Sequence, residues 1–364
     1  MKKVVLSAAA LIFAATGFAQ FNNSEVQQIG NGNASAVGQS GLSNDSYVEQ
    51  VGDGNDSSVD QVGTTNESTV WQSQGFLIGT RNDNTSAVSQ NGLSNDSFVW
   101  QDGDDNTSDV DQNGTTNVSY VDQWGDNNDN IVDQDGTSND SFVLQGYNGD
   151  NHSSTVIQDG TTNDSDVFQT GDGNDSFVAQ VGTSNISDVD QIGNSNVSTV
   201  QQGGANNNSD VDQNGDNNDS FVIQGFTNDN NMSIVNQDGD SNSSFVDQWG
   251  DDNDSWVNQI GNGNSSSVNQ GLGGIGDFNI STVDQLGNGN SSDVDQLGDS
   301  NNSDVNQTGD DNTSSVLQNG LTNMSVVNQL GNMNTSSVSQ TGLSHNSLVN
   351  QVGNGNGSVV TQSN

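Results

Sequence analysis

The chain contains no cysteine and no proline, and only three of its 364 residues are Lys or Arg. Without cysteine there is no disulfide framework and no thiolate for metal or redox chemistry. Without proline every residue keeps its backbone N–H, so nothing interrupts a continuous β-ladder. Against the three basic residues stand 47 Asp and Glu. A surface of that sign repels nucleic acid and anionic membranes, and both are excluded as partners. Aromatic residues make up 5% of the chain and hydrophobic ones 28%, too little for the core of an ordinary globule. By composition this is a disordered acidic chain. By the order of its residues it is not.

One segment is unlike the rest. Lys2 and Lys3 precede an apolar run from Val4 to Phe18 that is too short and too Ala-rich to span a membrane. Gly17-Phe18-Ala19 places small residues where a signal peptidase cuts. Residues 1–19 are read as a signal peptide and 20–364 as a secreted chain without membrane insertion. Cleavage leaves Arg81 as its one basic residue.

From Val26 onward the pattern V-x-Q-x-G-x-x-N-x-S-x returns to the end of the chain, with thirty valines in its first slot. A short fixed period marks a stack of one small unit. Asn33, Ser35, Val37 and Gln39 fall at every second position, the signature of a strand with all four on one face. The same inward columns run through Asn55, Ser57, Val59 and Gln61, then through Val110 and Gln112, and Val189 and Gln191. Val294 with Gln296, and Val327 with Gln329, continue them. The glycine after each Gln, as at Gly41, Gly52, Gly63, Gly114, Gly193 and Gly298, supplies a turn conformation other residues resist.

Each unit therefore reads as about seven residues of strand and about four of arc. If each arc reverses the chain, two units close one turn. The expected fold is all-β: one two-sheet β-solenoid of cross-β type, about 15 turns of about 22 residues. A three-sided helix is the competing geometry, which an arc of this length disfavours. Identical amides stacked at about 4.8 Å can bond along the stack, which makes buried Asn and Gln tolerable. Four valine intervals are longer: Val70 to Val88, Val143 to Val156, Val222 to Val235 and Val268 to Val283. Their extra residues, Phe76 to Arg81 and Gly271 to Gly276 among them, follow the Gln slot and should bulge as longer arcs. The first two are expected on one edge of the stack and the last two on the other.

The string N-x-S-x-V-x-Q-x-G-x-x-N resembles the curlin repeat, S-x5-Q-x-G-x-x-N-x5-Q. Ser57, Gln61, Gly63, Asn66 and Gln72 follow it, with a shorter spacer between Ser and Gln. The resemblance implies a functional amyloid of Gram-negative biofilms, an extracellular cell-surface fibre mediating adhesion and cohesion. It also implies export through an outer-membrane secretion pore and a minor curlin-like nucleator. This array is longer than in familiar enterobacterial subunits, and only Gln20 to Asn23 precede its first repeat.

Assembly is also expected on physical grounds. Two buried valines do not offset the backbone entropy of ordering a whole turn, so a turn needs neighbours above and below. The array begins a rung just after the expected cleavage site and ends mid-pattern at Val360 to Asn364, without a capping element. Ends of like pattern invite head-to-tail addition, a contact that does not close, and the expected partner is another copy in a homopolymer.

Outward slots hold most of the acids. Asp60, Asp111, Asp122, Asp133, Asp190 and Asp212 follow valines, and Asp109, Asp166, Asp188 and Asp210 precede them. Their columns lie within the screening length of about 8 Å, so the carboxylates repel one another. A solubilising coat is the simplest reading, and weak binding of divalent cations on the Asp rows the sharper one. No EF-hand loop is present, and neither a metal site nor a cofactor is assigned. Phe98, Tyr120 and Phe142 should stack on consecutive rungs, as should Trp71 with Trp100 and Phe221 with Phe245. His152 and His345 fall in Asn slots and are read as tolerated ladder substitutions.

Rows of identical groups do not converge in a pocket, so no catalytic residue is assigned and an enzyme is not expected. The alternative function is a non-fibrous secreted repeat protein that binds cations or surfaces. It would be a calcium-binding or ice-binding solenoid, or an adhesin stalk, but no outward Thr-x-Thr row and no tip domain support it.

Overall fold

A computed structural model describes residues 21–72, 82–146, 149–225, 229–271 and 276–364. The signal-peptide reading of residues 1–19 and the extra residues Phe76 to Arg81 lie outside these.

Alternation by two, unbroken by proline, produces thirty strands numbered in chain order. They run from β1 (Asn23–Ile29) and β2 (Ala34–Leu42) to β29 (Asn346–Val352) and β30 (Gly357–Ser363). Odd strands form one sheet of fifteen and even strands a second. Neighbours are parallel and in phase, so Val26 pairs with Val48 and Val110 with Val132. The fold is the flattened two-sheet solenoid, not the three-sided helix. No helix occurs among the described residues.

The inner faces meet in a narrow core. The first-slot valines from Val48 to Val349 are at most 4% exposed, and Asn, Ser and Gln of the same columns are buried with them. Val26, Val37 and Val360, in the end rungs, are only partly covered. β-branched valine fits a pleated face, and serine beside it is small enough to let the sheets close.

The division into seven and four holds for most odd strands. Even strands such as β2 and β8 (Thr107–Thr115) reach nine residues. There the arc glycine stays in the ladder, Gly114 pairing with Gly136, and the turn shrinks to two residues, Thr116 at a left-handed φ of 56° and Asn117. Space also demands this glycine: a Cβ on Gly114 would land on the carbonyl oxygen of Gly136.

The long arcs follow β5 (Glu67–Gln72), β11 (Asp140–Gln145), β18 (Asp219–Gln224) and β22 (Ser265–Gln270). Two follow odd strands and two even ones, so they lie on opposite edges. Register resumes across each, as in Val70 with Val99.

Candidate functional site

The glutamine column joins rungs and sheets at once. Gln112 Nε2 donates to Gln134 Oε1 at 2.9 Å and to the Asp96 carbonyl of the opposite sheet at 2.8 Å, while its Oε1 accepts from Gln90 at 2.9 Å. Gln61, Gln191, Gln296 and Gln329 repeat the arrangement. Gln39, first in the column of the even sheet, makes the two donor bonds, to Gln61 Oε1 and to the Asn23 carbonyl. Each Gln thus donates to its successor and accepts from its predecessor, which gives the column a direction.

The amide-to-amide ladder expected for asparagine takes another form. The Asn55 backbone N–H donates to Asn33 Oδ1 at 3.0 Å, and Asn84 does the same to Asn55 at 3.1 Å. Nδ2 turns to the arc instead, as Asn106 does to the Gly125 carbonyl at 2.8 Å. Asparagine is one methylene shorter than glutamine and stands at the corner where strand pairing ends, so the main chain is its nearer partner. Direct pairs such as Asn290 to Asn264, 3.2 Å, occur mainly towards the C-terminal half. The serine column has no ladder: the Oγ atoms of Ser35, Ser57 and Ser108 are buried without a hydrogen bond. A hydroxyl on so short a stem does not bridge about 4.8 Å between rungs. No contact explains why the slot holds serine and not alanine.

A further ladder, unanticipated from the repeat, runs down the edge that follows the odd strands. Asn31 N–H donates to Asp53 Oδ1 at 2.7 Å, Asp104 to Asp126 at 2.9 Å, Asn194 to Asp216 at 2.8 Å, and Asn332 to Asn354 at 2.8 Å. On the other edge Asp229, Asp251, Asp277 and Asp299 act likewise only in mid-stack. Elsewhere that edge carries hydroxyl pairs such as Thr116 with Ser138, 2.8 Å. The signal was present: sorted by parity, arcs after odd strands read mainly G-[DN]-x-N, whereas many after even strands read G-[LT]-[ST]-N. These acids are structural acceptors and not merely a solvated coat.

On the outer face of the odd sheet, Phe98 and Tyr120 stack at 4.9 Å and Tyr120 and Phe142 at 5.1 Å. Trp71 meets Trp100 edge-on at 5.7 Å, and on the even sheet Phe221 stacks with Phe245 at 5.7 Å. Trp124 joins Trp100 at 5.5 Å, and Trp71 touches Phe98 at 5.4 Å, so the separate rows fuse into one patch. Trp124 stands one slot beyond Gln, outside the columns flanking valine, and was not anticipated.

That patch changes the role of Asp122. Its slot is outward and its rung partner is Trp100, yet it is only 9% exposed. Burial pushes its carboxyl up to about 6, against the opposing effect of the Trp124 side chain. Asp166 and Asp190, on rungs above, also rise to about 6, first through burial and then through neighbouring carboxylates. For a carboxyl raised on folding, both states are protonated below about pH 4 and no penalty applies. Above about pH 6 both are ionised and the penalty is complete, so stability falls as pH rises between these limits. The denaturation midpoint should therefore rise on acidification from about pH 7 to about pH 4. Asp122→Asn should be more stable at neutral pH by on the order of 2 kcal/mol and gain correspondingly less from acid. An identical pH response in the variant would remove Asp122 as a source.

Among the described residues no group of three or more His, Asp and Glu is placed to hold a metal ion. The Asp rows supply repulsion and acceptors, without a formed cation cage. His152 is buried, and burial lowers its basicity. Its own N–H donates to Asn128 Oδ1 at 3.0 Å and its Nδ1 accepts the Asn174 N–H at 3.3 Å, as an asparagine Oδ1 would. His345 pairs with Asn323 Oδ1 through its N–H, 3.0 Å, and its Nε2 meets the Thr341 carbonyl at 3.0 Å.

Six segments, residues 82–114, 103–136, 125–160, 160–193, 279–309 and 309–342, match the family model of the curlin associated repeat. No curated protein matches the chain.

Proposed function

The chain belongs to the curlin family, and from that premise we propose that it is the repeating subunit of an extracellular amyloid fibre. The family is one of structural fibre proteins and not of enzymes. In the proposed reading a copy is exported with the signal peptide 1–19 removed, passes an outer-membrane pore, and is started by a minor curlin-like nucleator. It then adds end to end in a biofilm matrix, providing adhesion and cohesion.

The observation that carries this reading is the match between the two ends of the described stack. Gln28 and Gln39 have no predecessor, so their Oε1 atoms face outwards, and Gln351 and Gln362 have no successor for their spare N–H. The Asn column runs oppositely: the Asn22 and Asn33 N–H groups lack an acceptor at one end, and Asn356 Oδ1 lacks a donor at the other. The edge ladder leaves Asn31 Oδ1 facing one way and the Asn354 N–H the other. Each end complements the other and not itself. Fifteen whole turns preserve parity, so β1 of one copy meets β29 of the next, and β2 meets β30. Such a contact does not close and yields a polar filament.

The test is seeded growth of the purified chain lacking residues 1–19, followed by an amyloid dye and electron microscopy. The expected result is lag-free extension of thin unbranched filaments that diffract at about 4.8 Å and about 10 Å. A chain that remains monomeric at micromolar concentration with seeds present refutes the proposal.

A further inference from the structure

His345 occupies the Asn slot of the last rung of its column. In that column the side chain at each slot accepts the backbone N–H of the next rung, as Asn301 accepts from Asn323 at 3.1 Å and Asn323 from His345. Asparagine Nδ2 meanwhile donates to the carbonyl four residues back, as Asn44 does to Ser40 at 3.1 Å. The His345 Nε2 takes that second role, on Thr341 at 3.0 Å. A carbonyl accepts only, so the proton is on Nε2 and Nδ1 is a bare acceptor in the place of Oδ1. His152 shows the substitution working inside the stack, where its Nδ1 receives the Asn174 N–H at 3.3 Å. Among the described residues no N–H donates to the His345 Nδ1; in the end-to-end reading above, on which this inference rests, its donor is the Asn22 N–H of the arriving copy.

We propose that His345 is the acid-sensitive acceptor of the junction between copies, its Nδ1 receiving the arriving copy's Asn22 N–H only while the ring is neutral. A protonated ring turns N–H against N–H and leaves a main-chain donor unpaired in a closing interface. Every other acceptor in this column is an asparagine, which does not titrate. The surroundings are short of competing charge. Residues 341–352, those of the rung beneath (320–330) and those of β30 include no Asp, Glu, Lys or Arg. On β1 of the arriving copy the one charged residue is Glu25, in an outward slot.

The inference goes beyond fibre formation, because a junction with asparagine in this slot would still polymerise. It predicts a bond that weakens with acid, whereas the carboxylate rows predict easier contact in acid. The two effects are separated by comparing variants and not by the pH profile of one protein.

Elongation rates on preformed seeds should be measured at about pH 8 and about pH 5, a range in which imidazoles change charge. His345→Asn restores the ordinary acceptor. The two proteins should elongate within about threefold of each other at the higher pH, and the variant roughly tenfold faster at the lower, the scale of one unsatisfied donor. His152→Asn, which alters an interior rung, should keep the wild-type ratio of rates between the two pH values. An unchanged ratio in His345→Asn overturns the inference, as does a variant slower than wild type in acid or an equal shift in His152→Asn. Absence of wild-type growth at the higher pH would instead refute the fibre reading itself.

Discussion

Gly114→Ala is expected to break the stack at its own rung, lowering stability by on the order of 4 kcal/mol. Two constraints coincide there. The backbone sits at φ 136°, and the added Cβ would land on the Gly136 carbonyl oxygen of the next rung. That atom belongs to main chain locked in a parallel ladder, so it cannot swing aside as a side-chain tip would. The rungs must part, and the Gln and Asn columns part with them. The informative control is Gly263, at φ 65° with nothing within 4 Å of the same atom. Equivalent arc positions hold Asn217 at φ 58° and Ser241 at φ 59°. Gly263→Asn should be neutral or stabilising by about 0.5 kcal/mol. Denaturation midpoints, with limited proteolysis to locate the opening, check both. Equal losses at the two glycines would remove close stacking as the reason for the repeat's glycine.

Gln191→Glu keeps the shape of the column and reverses its chemistry. Gln191 accepts from Gln169 at 2.8 Å and donates to the Asp175 carbonyl at 3.0 Å and to Gln213 at 2.8 Å. A carboxylate there keeps the first bond and turns oxygen against two buried acceptors. The side chain is fully buried, and no Lys or Arg lies among the described residues to compensate. Its carboxyl would be pushed up on folding, so the penalty is absent where the unfolded state is also protonated and grows as pH rises above about 4. The expected loss is slight near pH 3 and about 3–5 kcal/mol near pH 7. Unfolding curves at both pH values decide it; a loss that does not depend on pH would show that the column senses shape alone.

Much of this architecture was legible because strand periodicity assigns faces without reference to tertiary structure. The alternation Asn55, Ser57, Val59, Gln61 could be inward only together, and a two-unit turn followed from the length of the arc. The edges of the long arcs followed from counting parity. Harder to read was what each buried polar group bonds to, since that depends on side-chain reach and on where the backbone leaves its ladder. Gln112 reaches both the next rung and the opposite sheet, Asn106 turns to a glycine carbonyl, and Ser108 reaches no hydrogen-bond partner. The edge ladder was hidden by averaging two kinds of arc into one consensus. Asp122 was hidden by its surroundings: neighbours on other rungs bury a residue whose slot is outward.

The long arcs give the proposed filament a readable sense of direction. They follow the third and sixth strands of the odd sheet and the ninth and eleventh of the even one. On one flank the marks are three turns apart and on the other two, and the whole set recurs once per copy, roughly 70 Å along the axis. A filament of indistinguishable rungs would look alike from either tip; this one would carry an uneven barcode whose mirror image differs, so averaged micrographs could tell which tip gains new copies.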